Sequence, residues 1–200
     1  MAKGRKSQYV SKLTSKDQEM LRAFRNVGYL KDRHLKDLGQ RDKRIQNFVR
    51  DKYIEKCAVF NERRHTLEHV YRLTDKGMGL CRDQLDLNYF YRSNSVSHDL
   101  ALAARYFELS QRERERWITE PRFRDMMKEH IENMQDRAEA ERVTQMLKEH
   151  TISPIDGGYV NEQGIIISVE ITTDSYGRQE IQAKQDFCAV LGVSYESYKI

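Results

Sequence analysis

The sequence predicts an α+β protein made of two parts that carry opposite net charge. Residues 1–92 hold 22 Lys and Arg against 12 Asp and Glu, a net charge of +10, whereas residues 93–200 hold 13 against 19, a net charge of −6. Helical periodicity gives way to a hairpin pattern in the basic part, and helical and strand-like segments alternate in the acidic part. The split indicates two domains with different roles, and the basic one is expected to attract a polyanion.

The composition argues against several classes of protein. Of the 200 residues, 33% are charged and 38% are hydrophobic, and the mean hydropathy is −0.83. No apolar run approaches the roughly 18 residues that a membrane span needs, and no apolar stretch follows the basic N-terminus. The three cysteines, Cys57, Cys81 and Cys188, are scattered and lack CxxC spacing, which excludes a disulfide scaffold. We therefore expect a cytoplasmic protein with no membrane partner.

The basic part begins with an arm and two helices. Residues 1–12 are basic and lack apolar periodicity, so we expect a flexible arm. The first helix begins at Thr14 or Ser15, either of which can cap it, and Gly28 ends it. A second, short helix is predicted over residues 31–38.

The third helix, predicted over residues 41–51, carries the candidate DNA contacts. Ile45, Phe48 and Val49 are its only clear apolar positions, and at about 100° per residue they form one narrow stripe. The helix therefore packs by one edge and presents cations and amides outward, which are the side chains that contact phosphates and base edges in the major groove. The predicted contacts are Lys43, Arg44, Gln46, Asn47 and Arg50.

A hairpin and a last helix complete the basic part. Residues 53–60 and 70–73 are strand-like, residues 61–65 form a polar turn between them, and Thr74 caps the helix that follows. Three helices followed by a hairpin with a basic tip is the order of a winged helix-turn-helix domain, which we assign to residues 13–87. The tip adds three predicted DNA contacts, Arg63, Arg64 and His65.

A small helical domain with a solvated charged face is the alternative interpretation of this part. The helix order, the position of the hairpin and the net charge of +10 agree with one another, so we favour DNA binding. The positive charge alone suits RNA as well. A single exposed helix favours duplex DNA, because the deep, narrow major groove of A-form RNA excludes a helix.

The acidic part begins after a predicted linker at residues 88–96. Ser97 is expected to cap a helix, and residues 116–120 form a short strand. The segment at about 122–150 is highly charged and helical, with irregularly spaced apolar residues. We interpret it as an insertion of one or two helices that lie on the domain, with a helical hairpin or a homodimerisation stretch as alternatives. The domain as a whole is assigned to residues 97–200.

The final fifty residues complete a recognisable order of elements. Residues 153–160 form a turn that leads into a strand, residues 165–172 alternate as a second strand, residues 178–192 are helical, and residues 193–200 form a last strand. Together with the preceding helix and strand, the order is αβββαβ, the core of the PD-(D/E)XK nuclease-like fold. The sequence therefore predicts a small domain of this type with a helical insertion.

Three residues of this domain match the chemistry of such nucleases. Asp156 and Glu170 correspond to the two carboxylates that hold Mg²⁺ or Mn²⁺, which prefer hard oxygen ligands. The lysine of the motif stands two residues after the Glu, where this chain has Thr172. Lys184 on the following helix is the candidate substitute. Asp156, Glu170 and Lys184 are therefore catalytic candidates if the domain is active, and no cofactor is expected if it is not.

Taken together, these segments resemble the replication-relaxation family of plasmids, phages and integrative elements. The resemblance implies a winged helix before a nuclease-like domain that is often degenerate, and a role in DNA processing for plasmid replication or conjugative mobilisation. Two departures from the family pattern are an extra residue between Pro154 and Asp156 and the Thr at position 172. The matching segments are residues 71–77, 97–100, 117–120, 154–157 and 169–171, with the helix of Lys184.

These observations leave three functional hypotheses. The first is a sequence-specific duplex-DNA-binding accessory protein of a plasmid or conjugative element, which acts at a replication or transfer origin and recruits a relaxase or replication protein. The second is a metal-dependent DNA endonuclease or nickase, and the third is a winged-helix transcription regulator. The missing lysine at position 172 favours the non-catalytic binder.

Overall fold

A computed structural model describes residues 9–61 and 65–200. It contains helices and two β-sheets, which confirms the predicted α+β class. The chain divides into a first unit, Met1–Asn88, and a second unit, Tyr89–Ile200, so the boundary falls inside the predicted linker. Within the described ranges, no helix combines the length and apolar character that crossing a bilayer requires.

Within residues 9–61 and 65–88, the first unit consists of four helices and a three-stranded antiparallel sheet of order β1-β3-β2. Sequence analysis missed β1, which is only three residues long and is defined by pairing with β3 about forty residues later. The elements are α1 (Ser15–Val27), β1 (Tyr29–Lys31), α2 (Asp32–Asp37), α3 (Asp42–Arg50), β2 (Ile54–Asn61), β3 (Thr66–Leu73) and α4 (Asp75–Leu85).

Helix α1 begins and ends where its capping residues predict. The Thr14 hydroxyl accepts a hydrogen bond from the Asp17 backbone N–H, and the Asp17 carboxylate accepts one from the Thr14 backbone N–H, which is a capping box. Gly28 ends the helix with φ +76°, a region that glycine enters without steric cost. Between the caps, Met20 and Phe24 are buried in the core of the unit.

The end of the hairpin is attached to the turn that follows α3. The Thr74 hydroxyl donates to the Lys52 carbonyl oxygen at 2.6 Å, and the Thr74 backbone N–H donates to the Tyr53 carbonyl oxygen at 3.1 Å. A Cβ atom at Gly77 would overlap that same Tyr53 carbonyl. Thr74 and Gly77 therefore fix the end of the hairpin against the end of α3.

The described end of the predicted flexible arm, residues 9–12, lies against α3. Val10 is buried, and its backbone N–H donates to the Asp51 carboxylate at 2.7 Å. The Lys12 carbonyl oxygen accepts a hydrogen bond from Arg44. These residues thus belong to the folded unit, whereas residues 1–8 of the predicted arm lie outside the described residues.

The second unit consists of five helices and a four-stranded mixed sheet of order β4-β5-β6-β7. The first three strands are antiparallel neighbours, and β7 returns parallel to β6 after the crossover through α9. The elements are α5 (Val96–Glu108), α6 (Gln111–Glu115), β4 (Trp117–Thr119), α7 (Glu120–Glu132), α8 (Arg137–Lys148), β5 (Gly157–Val160), β6 (Ile166–Thr172), α9 (Arg178–Leu191) and β7 (Ser194–Lys199).

Two predictions for this unit need correction. Ser95, and not Ser97, caps α5, since the His98 backbone N–H donates to the Ser95 hydroxyl. Sequence analysis also missed α6, whose five residues are all at least partly exposed and therefore leave no apolar pattern.

The charged segment at about 122–150 is two helices, α7 and α8. Phe123 and Met127 of α7 and Val143 of α8 share one buried core with Phe187 of α9. The apolar residues of this segment thus fill the core of the second unit, as the interpretation of helices lying on the domain expects.

Candidate functional site

Helix α3 presents three of its five predicted DNA-contacting side chains on the side opposite to its buried stripe. Ile45 and Phe48 are buried and attach the helix to the first unit. Lys43, Gln46 and Arg50 are exposed. The helix therefore offers two cations and an amide on one outward face, as its sequence predicts. A fourth predicted contact, Asn47, is half-buried at the edge of this face.

The Arg50 guanidinium is restrained by an aromatic ring. Its central carbon lies 5.5 Å from the centroid of the Tyr9 ring, a cation–π contact with a residue of the predicted arm. Stacking occupies the flat face of a guanidinium, and its N–H donors lie along the edge. The contact thus orients Arg50 on the outward face of α3, and the N–H groups of its guanidinium remain available to donate hydrogen bonds.

Arg44, the remaining predicted contact on α3, faces α1. Its guanidinium donates to both carboxylate oxygens of Asp17, at 3.0 and 2.6 Å, and to the Lys12 carbonyl oxygen at 2.7 Å. Burial disfavours the charge of Asp17, but the hydrogen bonds from Arg44 and Thr14 outweigh burial and lower the pKa of Asp17 below its ordinary value. Arg44 therefore holds α3 against α1, contrary to the expected position on the outward flank.

The tip of the β2–β3 hairpin combines polar and apolar residues. Arg63 and Arg64 lie outside the described residues. His65 is exposed in the turn, and its ring centroid lies 6.3 Å from that of Phe60. Phe60 and its neighbour Leu67 are 55% and 70% exposed, a feature that sequence analysis did not single out.

In the second unit, the three nuclease-like candidates come together, and we call Asp156, Glu170 and Lys184 the acidic cluster. The Lys184 Nζ atom lies 2.8 Å from Glu170 Oε1 and donates to the Pro154 carbonyl oxygen at 2.6 Å. The Asp156 backbone N–H donates to Glu170 Oε2 at 3.0 Å. The ammonium group of Lys184 on α9 thus contacts Glu170 in place of the missing lysine at position 172.

Three side chains that were not predicted from the sequence as site residues lie around the acidic cluster: His98, Tyr91 and Tyr176. His98 Nε2 lies 3.1 Å from Asp156 Oδ2, and His98 Nδ1 lies 3.1 Å from the Tyr91 hydroxyl. The Tyr176 hydroxyl donates to Glu170 Oε1 at 3.2 Å. Tyr91 and His98 precede Asp156 by 65 and 58 positions, so no local spacing in the sequence points to this contact.

Glu170 and His98 hold protons more tightly than the same groups do in water. Burial and the negative charge of Asp156 raise the pKa of Glu170 to about 7, against the opposing effect of Lys184. Burial lowers the pKa of His98, but the hydrogen bond and charge of Asp156 outweigh it and raise that pKa above its ordinary value. Glu170 therefore changes charge near neutral pH.

The oxygens of the acidic cluster do not fit a hydrated divalent cation in this arrangement. Glu170 is completely buried, and both of its carboxylate oxygens already accept hydrogen bonds. Asp156 Oδ2 accepts from the Ile171 backbone N–H at 2.8 Å. Mg²⁺ keeps several water ligands and needs open oxygen positions. Over residues 9–61 and 65–200, no three His, Cys, Asp or Glu side chains are grouped as metal ligands.

The contacts that lead from Tyr91 through His98 to Asp156 follow the order of a catalytic triad, in which a base lies between a nucleophile and an acid that orients the base. A nucleophile must reach its substrate, however, and Tyr91 is only 3% exposed. Burial raises the pKa of Tyr91 far above its ordinary value, which disfavours the phenolate. The three side chains are therefore a buried hydrogen-bonded network that ties α5 to the sheet of the second unit.

Comparison of this chain with protein families, with curated proteins and with solved structures finds no match.

Proposed function

We propose that this protein is a sequence-specific duplex-DNA-binding accessory protein of a plasmid or conjugative element. It binds DNA through α3 and the β2–β3 hairpin and acts at a replication or transfer origin. The observation that carries the proposal is the outward face of α3, on which Lys43, Gln46 and Arg50 are exposed opposite a buried apolar stripe. Arginine and glutamine side chains form bidentate hydrogen bonds with guanine and adenine edges in the major groove.

The topology of the first unit supports this use of α3. The order α1-β1-α2-α3-β2-β3, with β1 paired to β3, corresponds to that of a winged helix-turn-helix domain. In helix-turn-helix domains, the recognition helix enters the major groove. An α-helix with side chains is about 10–12 Å across, and the major groove is about 12 Å wide, so α3 fits it without distortion.

The charge of the first unit supports attraction to DNA. Residues 1–88 hold 21 Lys and Arg against 12 Asp and Glu, a net charge of +9. Each phosphate that a basic side chain neutralises releases condensed counterions, so the affinity of such a unit falls steeply with salt. The charge supplies affinity without sequence preference, and the amide and guanidinium groups of α3 supply the preference.

The second unit is the part that contacts a relaxase or replication protein under this proposal. Residues 89–200 hold 14 Lys and Arg against 19 Asp and Glu, a net charge of −5, which disfavours a second contact with DNA. Its mixed sheet and the crossover through α9 support the predicted PD-(D/E)XK-like core. The role at an origin depends on the resemblance to the replication-relaxation family described above.

Fluorescence anisotropy at fixed salt tests the proposal, with a labelled duplex obtained by selection from a random pool. Replacing Arg50 by Ala is expected to raise Kd by the equivalent of about 1–3 kcal/mol, because a base-contacting arginine contributes that much. The control Arg112→Ala removes an arginine of the second unit that is also exposed, and it is expected to leave Kd unchanged. Equal Kd values for Arg50→Ala and Arg112→Ala would rule out α3 as the recognition helix.

A metal-dependent endonuclease is the second candidate, because Asp156, Glu170 and Lys184 lie together. The complete burial of Glu170, both of whose carboxylate oxygens accept hydrogen bonds, argues against it. Incubation of supercoiled plasmid with the full chain and Mg²⁺ or Mn²⁺ separates the candidates. Intact plasmid supports the binder, whereas nicking that disappears in Asp156→Ala establishes the enzyme.

A further inference from the structure

Two large apolar side chains lie side by side near the tip of the β2–β3 hairpin. Phe60 on β2 stands directly opposite Leu67 on β3, and the two are 55% and 70% exposed. The next pair on the same face, Ala58 and His69, is also exposed. We call Phe60 and Leu67 the apolar pair.

The apolar pair is not an extension of the core of the first unit. On the same face, the core begins two pairs further from the tip, where Tyr71 is buried opposite Lys56. A hairpin that served only to complete the fold would place polar residues at a solvated tip. Single exposed apolar residues are common on protein surfaces, but an exposed Phe paired directly with an exposed Leu indicates a contact with another molecule.

The charge beside the apolar pair favours DNA as that molecule. In the sequence, Arg63, Arg64 and His65 stand between Phe60 and Leu67, against one acidic residue, Glu62. The acidic Glu68 beside Leu67 is paired with Lys31 at 2.5 Å, which neutralises it. An exposed apolar pair on a unit with a net charge of +9 is complementary to a groove lined by phosphates.

We propose that the apolar pair inserts between two base pairs in the minor groove of the bound duplex and bends the DNA. The inference rests on the proposed DNA-binding function and adds the deformation of the site to it. Phe and Leu side chains of minor-groove proteins act as such wedges, unstack a base step and kink the duplex toward the major groove. A kink in that direction wraps the duplex around a helix in the adjacent major groove.

The proposal also specifies the DNA sequence at the contact. Pyrimidine–purine steps, TA and CA/TG, are unstacked most easily. The selected DNA site is therefore expected to contain such a step beside the sequence that α3 contacts, although no side chain forms a hydrogen bond with it.

The test uses the full chain and a selected duplex whose ends carry a donor and an acceptor fluorophore. Wild type is expected to shorten the end-to-end distance, and to raise the fluorescence of 2-aminopurine placed at the unstacked step. The double variant Phe60→Ser, Leu67→Ser is expected to lose both signals and to bind about tenfold or more weakly, because the apolar area is no longer buried. Phe60→Trp keeps an aromatic wedge and is expected to keep the bend.

Ile165→Ser is the matched control, since Ile165 is an apolar residue of the second unit that is 52% exposed. The Ile165→Ser variant is expected to bend DNA as wild type does. Circular dichroism of every variant checks that the variant is folded. Binding without bending by wild type, or undiminished bending by the double variant, would overturn the wedge and leave the DNA-binding function in place. Absence of any duplex binding by wild type would remove the proposed function itself. A double variant that changes only self-association or vesicle binding would also overturn the wedge.

Discussion

At the scale of single residues, the contact with Asp17 of α1 separates Arg44 of α3 from Arg50, the arginine for which we propose a DNA contact. Arg44 and Arg50 have the same chemistry and lie on the same helix. The carboxylate of Asp17 is completely buried and binds Arg44, whereas Arg50 is exposed on the ring of Tyr9. The periodicity of α3 cannot separate the two, because the position of Asp17 depends on how α1 packs.

Asp17→Asn tests the structural role of Arg44. Removing one charge of a buried ion pair leaves the other uncompensated, so the free energy of unfolding is expected to fall by about 3 kcal/mol. The measurement is urea denaturation followed by far-UV circular dichroism. The control is Asp42→Asn, which removes an exposed carboxylate paired with Lys36 and is expected to change little. Equal stability of the two variants would contradict the role assigned to Arg44.

At the scale of elements, close backbone packing explains why the segment at 71–77 ends in Gly. Gly77 faces the Tyr53 carbonyl with no room for a Cβ atom, whereas Gly79 in the same helix has open space around its Cα. Thr74 forms hydrogen bonds with the same turn. One carbonyl group thus connects the hairpin, the end of α3 and the start of α4.

Gly77→Ala and Gly79→Ala form a matched pair for this claim. Gly77→Ala is expected to lower the free energy of unfolding by about 2–3 kcal/mol, because α4 must move away from Tyr53. Gly79→Ala is expected to raise it by about 0.5–1 kcal/mol, since Ala favours a helix interior. Thermal melts of both variants check the two signs, and a stabilising Gly77→Ala would contradict the packing described.

Elements with local signals were predictable from the sequence, and elements defined by distant partners were not. The caps of α1 and the stripe of α3 are local, and both were predicted. Strand β1 depends on pairing with β3, and sequence analysis missed it. The same holds for the acidic cluster: Asp156, Glu170 and Lys184 were found by residue type and spacing, whereas Tyr91 and His98 join them only through the tertiary fold.

At the scale of the whole molecule, the two units are expected to respond to pH in opposite directions. In the first unit, burial and then the charge of Arg33 lower the pKa of His34 to about 4, so its contribution to stability is lost as pH falls below about 6.5. In the second unit, the pKa values of Glu170 and His98 are raised, so the folded unit holds more protons than the unfolded chain. The contribution of Glu170 to the stability of this unit is therefore lost as pH rises through about 7.

Tryptophan fluorescence measures the second unit alone, because Trp117 is the one Trp of the sequence. The midpoint of thermal unfolding followed by Trp117 is expected to fall between pH 5 and pH 8. Glu170→Gln removes the carboxyl group whose pKa is raised to about 7, and it is expected to flatten this dependence. A midpoint that rises with pH, or the same slope in Glu170→Gln, would contradict the protonation assigned to the cluster.

The division of charge between the units gives the molecule its proposed organisation: a basic unit that binds DNA and an acidic unit that contacts protein. Selection from a random duplex pool by the full chain tests this account most directly. We expect wild type to enrich one defined sequence, and the triple variant Lys43→Ala, Gln46→Ala, Arg50→Ala to enrich none. A pool that stays random with wild type, or the same sequence enriched by the triple variant, would contradict recognition through α3.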